Sequence, residues 1–386
     1  MSVALADRGV LAFADVTWNG TWYSRHQILS RLARFYPLAI VGRSVPLRSV
    51  PGELFARRPL EAVDRGLWSY RAPAILPEIY RPPALRRLSL ALQALHLRRS
   101  ARGLGFRDPI AYVWNPDFAD PVERLDPRTL VYHCYDKYSA YQGAEHTGVD
   151  DLEGRIVRRA DLVIASSRIL AADLEERFGV PAVQLPHGVD FEWFDSLART
   201  GEPADLAAIP RPRIGYIARL DERTDTETLA GIAHARPDWS IVVIGDRAFQ
   251  SPEHGAAFEA LARLPNVHAI GGRPRETIPA YTSGLDVCLL SYRTDNWGRF
   301  VQPIKAYEYL ACGRPVVSTR IEAVADFDGL VRAADDVDDW VAAIEGGLAE
   351  SDEAWVERRR AFARANTWDQ RVRELVALFE SRLGGR

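Results

Sequence analysis

Short apolar, β-rich runs alternate with helix-periodic stretches along the 386 residues, and this alternation restricts the chain to parallel sheets covered by helices on both faces. In the first half the runs are Val10–Ala14, Leu38–Val41, Ile110–Trp114, Leu130–His133, Leu162–Ala165 and Val183–Leu185. In the second half they are Arg213–Ile217, Ser240–Ile244, Val267–Ile270, Val287–Leu290, Pro315–Ser318 and Gly329–Val331. One core rarely organises a chain of this length, so two α/β domains are expected, 1–200 and 201–386. The composition breaks at Ala198–Arg213, ARTGEPADLAAIPRPR, which suits a linker. The segment Arg43–Pro83, rich in proline and arginine without clear periodicity, is expected to be irregular. No internal repeat or low-complexity tract interrupts the pattern.

Three widely spaced cysteines, Cys134, Cys288 and Cys312, argue for a reducing compartment and against a disulfide framework or zinc site. No run approaches the roughly 18 apolar residues of a spanning helix. The start, MSVALADRGV, lacks the basic-then-apolar form of a signal peptide, so cytoplasmic residence is expected. The net charge of −3 conceals an asymmetry: residues 1–110 hold 17 arginines and 7 acids, a net of +10. Within that segment, Leu85, Leu88, Leu92 and Leu95 follow helical spacing in Pro82–Gly103, flanked by Arg86, Arg87, Arg98, Arg99 and Arg102. Such a helix docks on anionic lipid at the inner face of the plasma membrane, or packs its leucines on its own sheet and solvates its arginines. Of the 49 basic residues only Lys137 and Lys305 are lysine. A compact ammonium is not equivalent to a planar guanidinium in a tight phosphate pocket, which directs attention to both positions.

Lys305 lies in Phe300–Thr319, FVQPIKAYEYLACGRPVVST, which reads as a short helix feeding a buried strand. Pro303 suits the first helical turn and Gly313 the left-handed residue past the end, giving a helix of about ten residues. Ile304, Tyr307, Leu310 and Ala311 form its buried stripe, with Lys305 and Glu308 on another face. The free N–H groups and dipole at its start favour phosphate.

The same string resembles the donor-site signature of GT-B glycosyltransferases, in particular the glycosyltransferase family 4-like group, with its P-x-K-x-x-E-Y-x-A-x-G-x-P-V-V pattern. Pro303, Lys305, Glu308, Tyr309, Ala311, Gly313, Pro315, Val316 and Val317 fall on it. Further landmarks agree in order: ADLVIASS (Ala160–Ser167), LPHGVD (Leu185–Asp190), RIGYIARLDERTD (Arg213–Asp225), Leu264–Tyr292, and NTWDQRVREL (Asn366–Leu375). The resemblance implies two Rossmann-like domains facing across a cleft: an acceptor-binding one, 1–200, and a nucleotide-sugar-binding one, 201–386. The last helix, about 369–386, would cross back onto the first.

The implied reaction moves a sugar from a nucleoside-diphosphate sugar to an acceptor hydroxyl. The acceptor would be a sugar, a lipid-linked molecule or a small molecule; no nucleic acid, cofactor or metal is implied. Lys305 and Arg219 would neutralise the departing diphosphate, and Glu308 would hold the donor ribose. Arg223, Gly245, Arg273, Asn296, Arg299, Val301, Gln302, Pro303 and Ile304 complete the donor side. Two departures stand out. A second glutamate, common eight positions before the ribose one, is replaced by Phe300, leaving its sugar contact to Asn296, Arg299 or Gln302. A lysine common five residues after the arginine is replaced by Thr224, with Arg223 beside it.

On the acceptor side the loop after the first strand, Asp15–Leu29, concentrates Asp15, Trp18, Asn19, Trp22 and His26, which bind acceptor or plug the cleft. Asp136, in VYHCYDKYSAYQG beside His133 and Lys137, is the candidate polar group near the reacting centre, or else an N-cap or ion-pair member. Asp336 and Asp338 form a D-x-D pattern at the start of an amphipathic helix, where capping accounts for them. The resemblance favours retention of configuration over inversion. Rival readings are a nucleotide-sugar 2-epimerase and a catalytically silent subunit. No G-x-G-x-x-G follows a predicted strand and no P-loop is present.

Overall fold

The computed structural model describes residues 8–18, 22–53, 59–140, 148–294, 298–350 and 352–384. The chain forms two compact units: Met1–Pro186 together with Arg371–Arg386, and His187–Gln370. The division falls between Pro186 and His187 rather than near residue 200. Phe191, Phe194, Leu206 and Ile209 are buried in the core of the second unit, so the stretch expected as a linker packs there.

The first unit is built on an eight-stranded sheet of order β3-β4-β2-β1-β5-β6-β7-β8. Its strands are β1 (Val10–Phe13), β2 (Leu38–Val41), β3 (Leu60–Asp64), β4 (Leu67–Tyr70), β5 (Ile110–Val113), β6 (Thr129–Cys134), β7 (Leu162–Ala165) and β8 (Val183–Gln184). All neighbours pair in parallel except β3 and β4. That hairpin lies in the segment expected to be irregular. It turns at Gly66 (φ +74°), and β3 is an edge strand with no fully buried residue, so it lacks the apolar run that marks the other strands.

Helix α1 (Ser24–Leu32) follows β1, and helix α2 (Pro83–Gly103) precedes β5. Helix α2 turns Ala94, Leu97 and Ala101 inward, while Leu85, Leu88, Leu92 and Leu95 are 40–55% exposed. The leucine stripe therefore does not pack on the sheet. Near the chain end, Phe379 sets its ring edge-on to Tyr112 at 5.6 Å and lies 6.0 Å from Tyr36 in the same unit.

Among the described residues the second unit has six parallel strands: β9 (Arg213–Ile217), β10 (Ser240–Ile244), β11 (Val267–Gly271), β12 (Val287–Leu290), β13 (Val316–Thr319) and β14 (Val331–Ala334). Their order is β11-β10-β9-β12-β13-β14, the doubly wound 3-2-1-4-5-6 arrangement of a dinucleotide-binding fold. Alternate residues face two separate cores. Ile217, Ile244, Leu290 and Val316 join helix α3 (Ile304–Ala311) on one face. Ile214, Tyr216, Val243 and Leu289 join Leu229, Phe258 and Trp340 on the other. Reversal of the strand order between β9 and β12 is what positions the candidate site.

Candidate functional site

In a doubly wound sheet, the strands on either side of the order reversal send their following loops in opposite directions and leave a crevice at their carboxyl ends. Here β9 and β12 flank it, and their pairing ends at Tyr216 and Leu289. Peptide groups alternate sides along a strand. Ala218 N–H turns to Ile244 O of β10 (3.0 Å), so those of Ile217 face the side where β12 has ended. The buried Tyr309 hydroxyl replaces the missing strand, accepting from Ile217 N–H (3.2 Å) and donating to Ile217 O (3.1 Å). The helix carrying Lys305 and Glu308 is thereby pinned to the end of β9.

The loops after β9 and β12 are laced together. Asp225 N–H donates to Ser291 O (3.2 Å), Ser291 Oγ to Asp225 O (3.0 Å), and Arg293 N–H to Arg223 O (3.0 Å). Thr224 is buried, its hydroxyl 3.2 Å from that of Tyr216, so the position has no space for a solvated ammonium. The guanidinium of Arg223 grips Asp221 at 2.8 and 2.5 Å. Arg219 is exposed, with no hydrogen-bond or ionic partner among the described residues. Gly245, at the end of β10, lets the chain before Arg219 come close: a Cβ there would sit 1.6 Å from Ala218 O.

Helix α3 starts at Ile304, with Pro303 as the flanking residue rather than in the first turn. Gly313 adopts φ +72°, and Gly313 N–H to Leu310 O (2.9 Å) and Arg314 N–H to Tyr309 O (3.0 Å) close the end. Tyr307, Leu310 and Ala311 are buried as expected, together with Ala306 and Tyr309, whereas Ile304 is half-buried. Lys305 Nζ lies 2.9 Å from Glu308 Oε2 with ionic but not hydrogen-bond geometry, so Oε2 keeps its acceptor capacity. One residue before Pro303, Gln302 is 8% exposed, and neither its amide oxygen nor its nitrogen has a partner among the described residues. A buried amide left unpaired costs free energy and marks a place for a ligand's polar groups. Phe300, in place of the family's first glutamate, and Val301 are buried. Burial raises the pKa of Tyr292 and Tyr309 well above the ordinary tyrosine value, with the charge of Glu308 adding to it.

Other donor-side candidates are placed differently. Arg273 binds Asp205 Oδ2 (2.6 Å) and the Tyr281 hydroxyl (2.8 Å). This hydrogen bond from Arg273 lowers the Asp205 pKa. Asn296 lies outside the described residues, and Arg299 is located by its backbone in the turn Gly298–Phe300. Gly298 closes that turn, since a Cβ there would meet Arg293 O at 1.8 Å.

In the first unit the strand order reverses between β1 and β5, and the loop after β1 carries the acceptor candidates. Trp18, Trp22 and His26 form one aromatic group, with ring centroids 5.4–5.6 Å apart. His26 is buried: Nδ1 accepts Tyr23 N–H (3.1 Å), which assigns the proton to Nε2, 3.2 Å from Thr17 O. Asp15 is exposed and lies 3.4 Å from Arg43, which also pairs with Asp117. Asn19 lies outside the described residues. Asp136 is half-buried just past β6, and Oδ1 accepts Lys137 N–H (2.9 Å).

Its neighbours have structural positions. His133 is buried, stacked 4.1 Å from Trp114 and 2.6 Å from the Tyr112 hydroxyl. Lys137 is held by Asp173 at 2.5 and 2.7 Å in a network continuing through Arg177 to Glu153. Asp336 Oδ1 caps its helix through Asp339 N–H (2.9 Å). Among the described residues no group of three or more His, Cys, Asp or Glu side chains is arranged to hold a metal ion, and no helix is long and apolar enough to cross a membrane.

The structural role of Tyr309 was not evident in the sequence, although the residue fell on the matched pattern. Its hydroxyl partner lies 92 positions away.

Residues 211–350 match the family described as glycosyl transferases group 1. A Bacillus subtilis glycosyltransferase, TuaH, provisionally named for teichuronic acid biosynthesis, is 25% identical over 263 residues. The match covers 64% of this chain and 66% of that protein, just under two thirds of its length. Sucrose-phosphate synthase from Thermosynechococcus elongatus is similar in structure at a TM-score of 0.71 and 17% identity, covering 98% of this chain and 100% of the other. An E. coli trehalose-6-phosphate structure bound with UDP-2-fluoro glucose gives a TM-score of 0.71 at 11% identity, covering 95% and 98%.

Proposed function

We propose that this chain, whose residues 211–350 match the glycosyl transferases of group 1 and which has the GT-B fold, transfers a sugar from a nucleoside-diphosphate sugar to an acceptor hydroxyl of a saccharide, a lipid-linked molecule or a small molecule. The observation that carries this reading is the grouping at the carboxyl edge of the second sheet. Arg219 leaves β9 unpaired among the described residues, the buried amide of Gln302 lacks partners there, and Glu308 Oε2 keeps acceptor capacity beside Lys305.

Each group has a part in the chemistry. Arg219, Lys305 and the first N–H groups of α3 offset the negative charge that builds on the diphosphate as the anomeric C–O bond breaks. Glu308 accepts from the ribose hydroxyls, and Gln302 offers its amide N–H groups as donors and its carbonyl oxygen as acceptor to the sugar or its phosphate. As the acceptor oxygen bonds to the anomeric carbon, its proton passes to the departing phosphate oxygen on the same face, giving retention. Asp136 contributes a polar group on the acceptor side. Protein cations supply the charge neutralisation, so the reaction proceeds without a metal ion.

The test is a thermal-shift screen of the protein against a panel of nucleotide sugars, followed by transfer assays with the stabilising donor in EDTA. Ligand at 100 times its Kd stabilises by about 2.7 kcal/mol. The reading fails if no nucleotide sugar shifts the melting temperature, or if EDTA abolishes transfer. NMR of the product's anomeric proton decides the stereochemical course. Nucleotide release without acceptor would instead favour the epimerase reading.

A further inference from the structure

Nine large apolar side chains are exposed among the described residues, and all lie between Tyr23 and Leu95, the part of the chain that carries the excess of arginine. Four of them, Leu85, Leu88, Leu92 and Leu95, are spaced three and four apart on α2. The same spacing continues through Arg99 and Arg102, so one stripe about 26 Å long runs from leucines into arginines. Helix α2 contains no acidic residue.

Its arginines divide by partner. Arg86 pairs with Asp120, and Arg98 donates to Leu125 O. Arg87, Arg99 and Arg102 are exposed and make no hydrogen bond or ion pair among the described residues. A second apolar element lies alongside. Ser89 Oγ and Gln93 Nε2 donate to Pro77 O (2.6 Å) and Leu76 O (2.9 Å), which fixes the strip bearing Ile75, 73% exposed, beside the helix.

We propose that this face of α2 is a docking surface for an anionic lipid bilayer, with the leucines entering the acyl boundary and Arg87, Arg99 and Arg102 meeting headgroup phosphates. Charge complementarity selects the occupant. An apolar stripe without acids that ends in guanidinium groups unpaired among the described residues matches an anionic interface, whereas a second copy of the same face offers them no acid: parallel pairing sets arginine against arginine and antiparallel pairing sets arginine against leucine. Docking is separate from sugar transfer, because it requires none of the donor-site residues.

The experiment is co-sedimentation of the full chain with vesicles of phosphatidylcholine alone or mixed with phosphatidylglycerol. Binding is expected only to the mixed vesicles, and should weaken at high salt. Arg87→Gln/Arg99→Gln/Arg102→Gln should lower affinity on the order of 100-fold, about fivefold per charge. Leu88→Ser/Leu92→Ser should also release the protein, while its melting temperature is maintained because both side chains are exposed. Absence of binding to mixed vesicles at low salt overturns the proposal, as does unchanged binding by the leucine variant. A dimer in sedimentation velocity that dissociates in the leucine variant would assign the face to a second copy instead.

Discussion

The Tyr309 hydroxyl pairs with both backbone groups of Ile217 at the point where β12 stops accompanying β9. One side chain thus completes the sheet and holds the helix bearing Lys305 and Glu308 against the carboxyl end of β9. Tyr309→Phe keeps the ring but strands a buried N–H and C=O, a loss of about 1–3 kcal/mol. Both the unfolding free energy and the donor affinity should fall, as urea denaturation and donor titration would measure.

Gln302 should behave in the opposite way. Its amide is buried without partners among the described residues, so Gln302→Leu removes an unsatisfied polar group and leaves an apolar side chain in its place. The melting temperature of the free protein should be unchanged or raised, and donor KM should rise about tenfold, equivalent to one hydrogen bond of about 1.4 kcal/mol. A drop in melting temperature with unchanged KM would show the amide to be structural.

Lys305 and Glu308 form a partly exposed ion pair three residues apart, worth about 0.5 kcal/mol or less to stability. Replacing either should leave unfolding nearly unchanged. Lys305→Ala should lower kcat about 100-fold or more if the ammonium acts on the leaving diphosphate. Glu308→Ala should mainly raise donor KM. Steady-state kinetics separates the two, and unaltered parameters in both variants would remove the site assignment.

Gly245→Ala places a methyl group 1.6 Å from the Ala218 carbonyl oxygen, a backbone atom that has no rotamer to escape into. Overpacking of this kind costs about 3 kcal/mol. The displaced chain leads directly to Arg219, so weaker donor binding should accompany a lower melting temperature.

Burial raises the pKa of all three thiols, with Cys312 pushed up to about 12 and Cys134 well above its ordinary value of 9.0. A pKa higher in the folded than in the unfolded state gives stability that is complete below the unfolded pKa and is lost as pH climbs through the folded one. Melting temperature should therefore decline from about pH 9 upward. At pH 8 the native thiols should resist a disulfide reagent that reacts with all of them in denaturant.

The strands were legible in the sequence where they lie inside a parallel sheet, because burial on both faces demands continuous apolar runs. Val10–Phe13 and Ser240–Ile244 are fully buried throughout. Gly313 was legible because a helix end in the left-handed region favours glycine. The edge hairpin of β3 and β4 was not, since an edge strand is free to be polar.

Ion pairing was decided in three dimensions. Lys137 and Arg273 carry charges that the sequence marks as available, yet Asp173 and Asp205, 36 and 68 positions away, hold them in the fold. The leucines of α2 show the same division: periodicity determines that they share a face, whereas packing of Ala94, Leu97 and Ala101 decides that this face points outward. Local sequence fixes which side chains share a face, and only the packed chain settles what that face meets, because partners are chosen by distance in space.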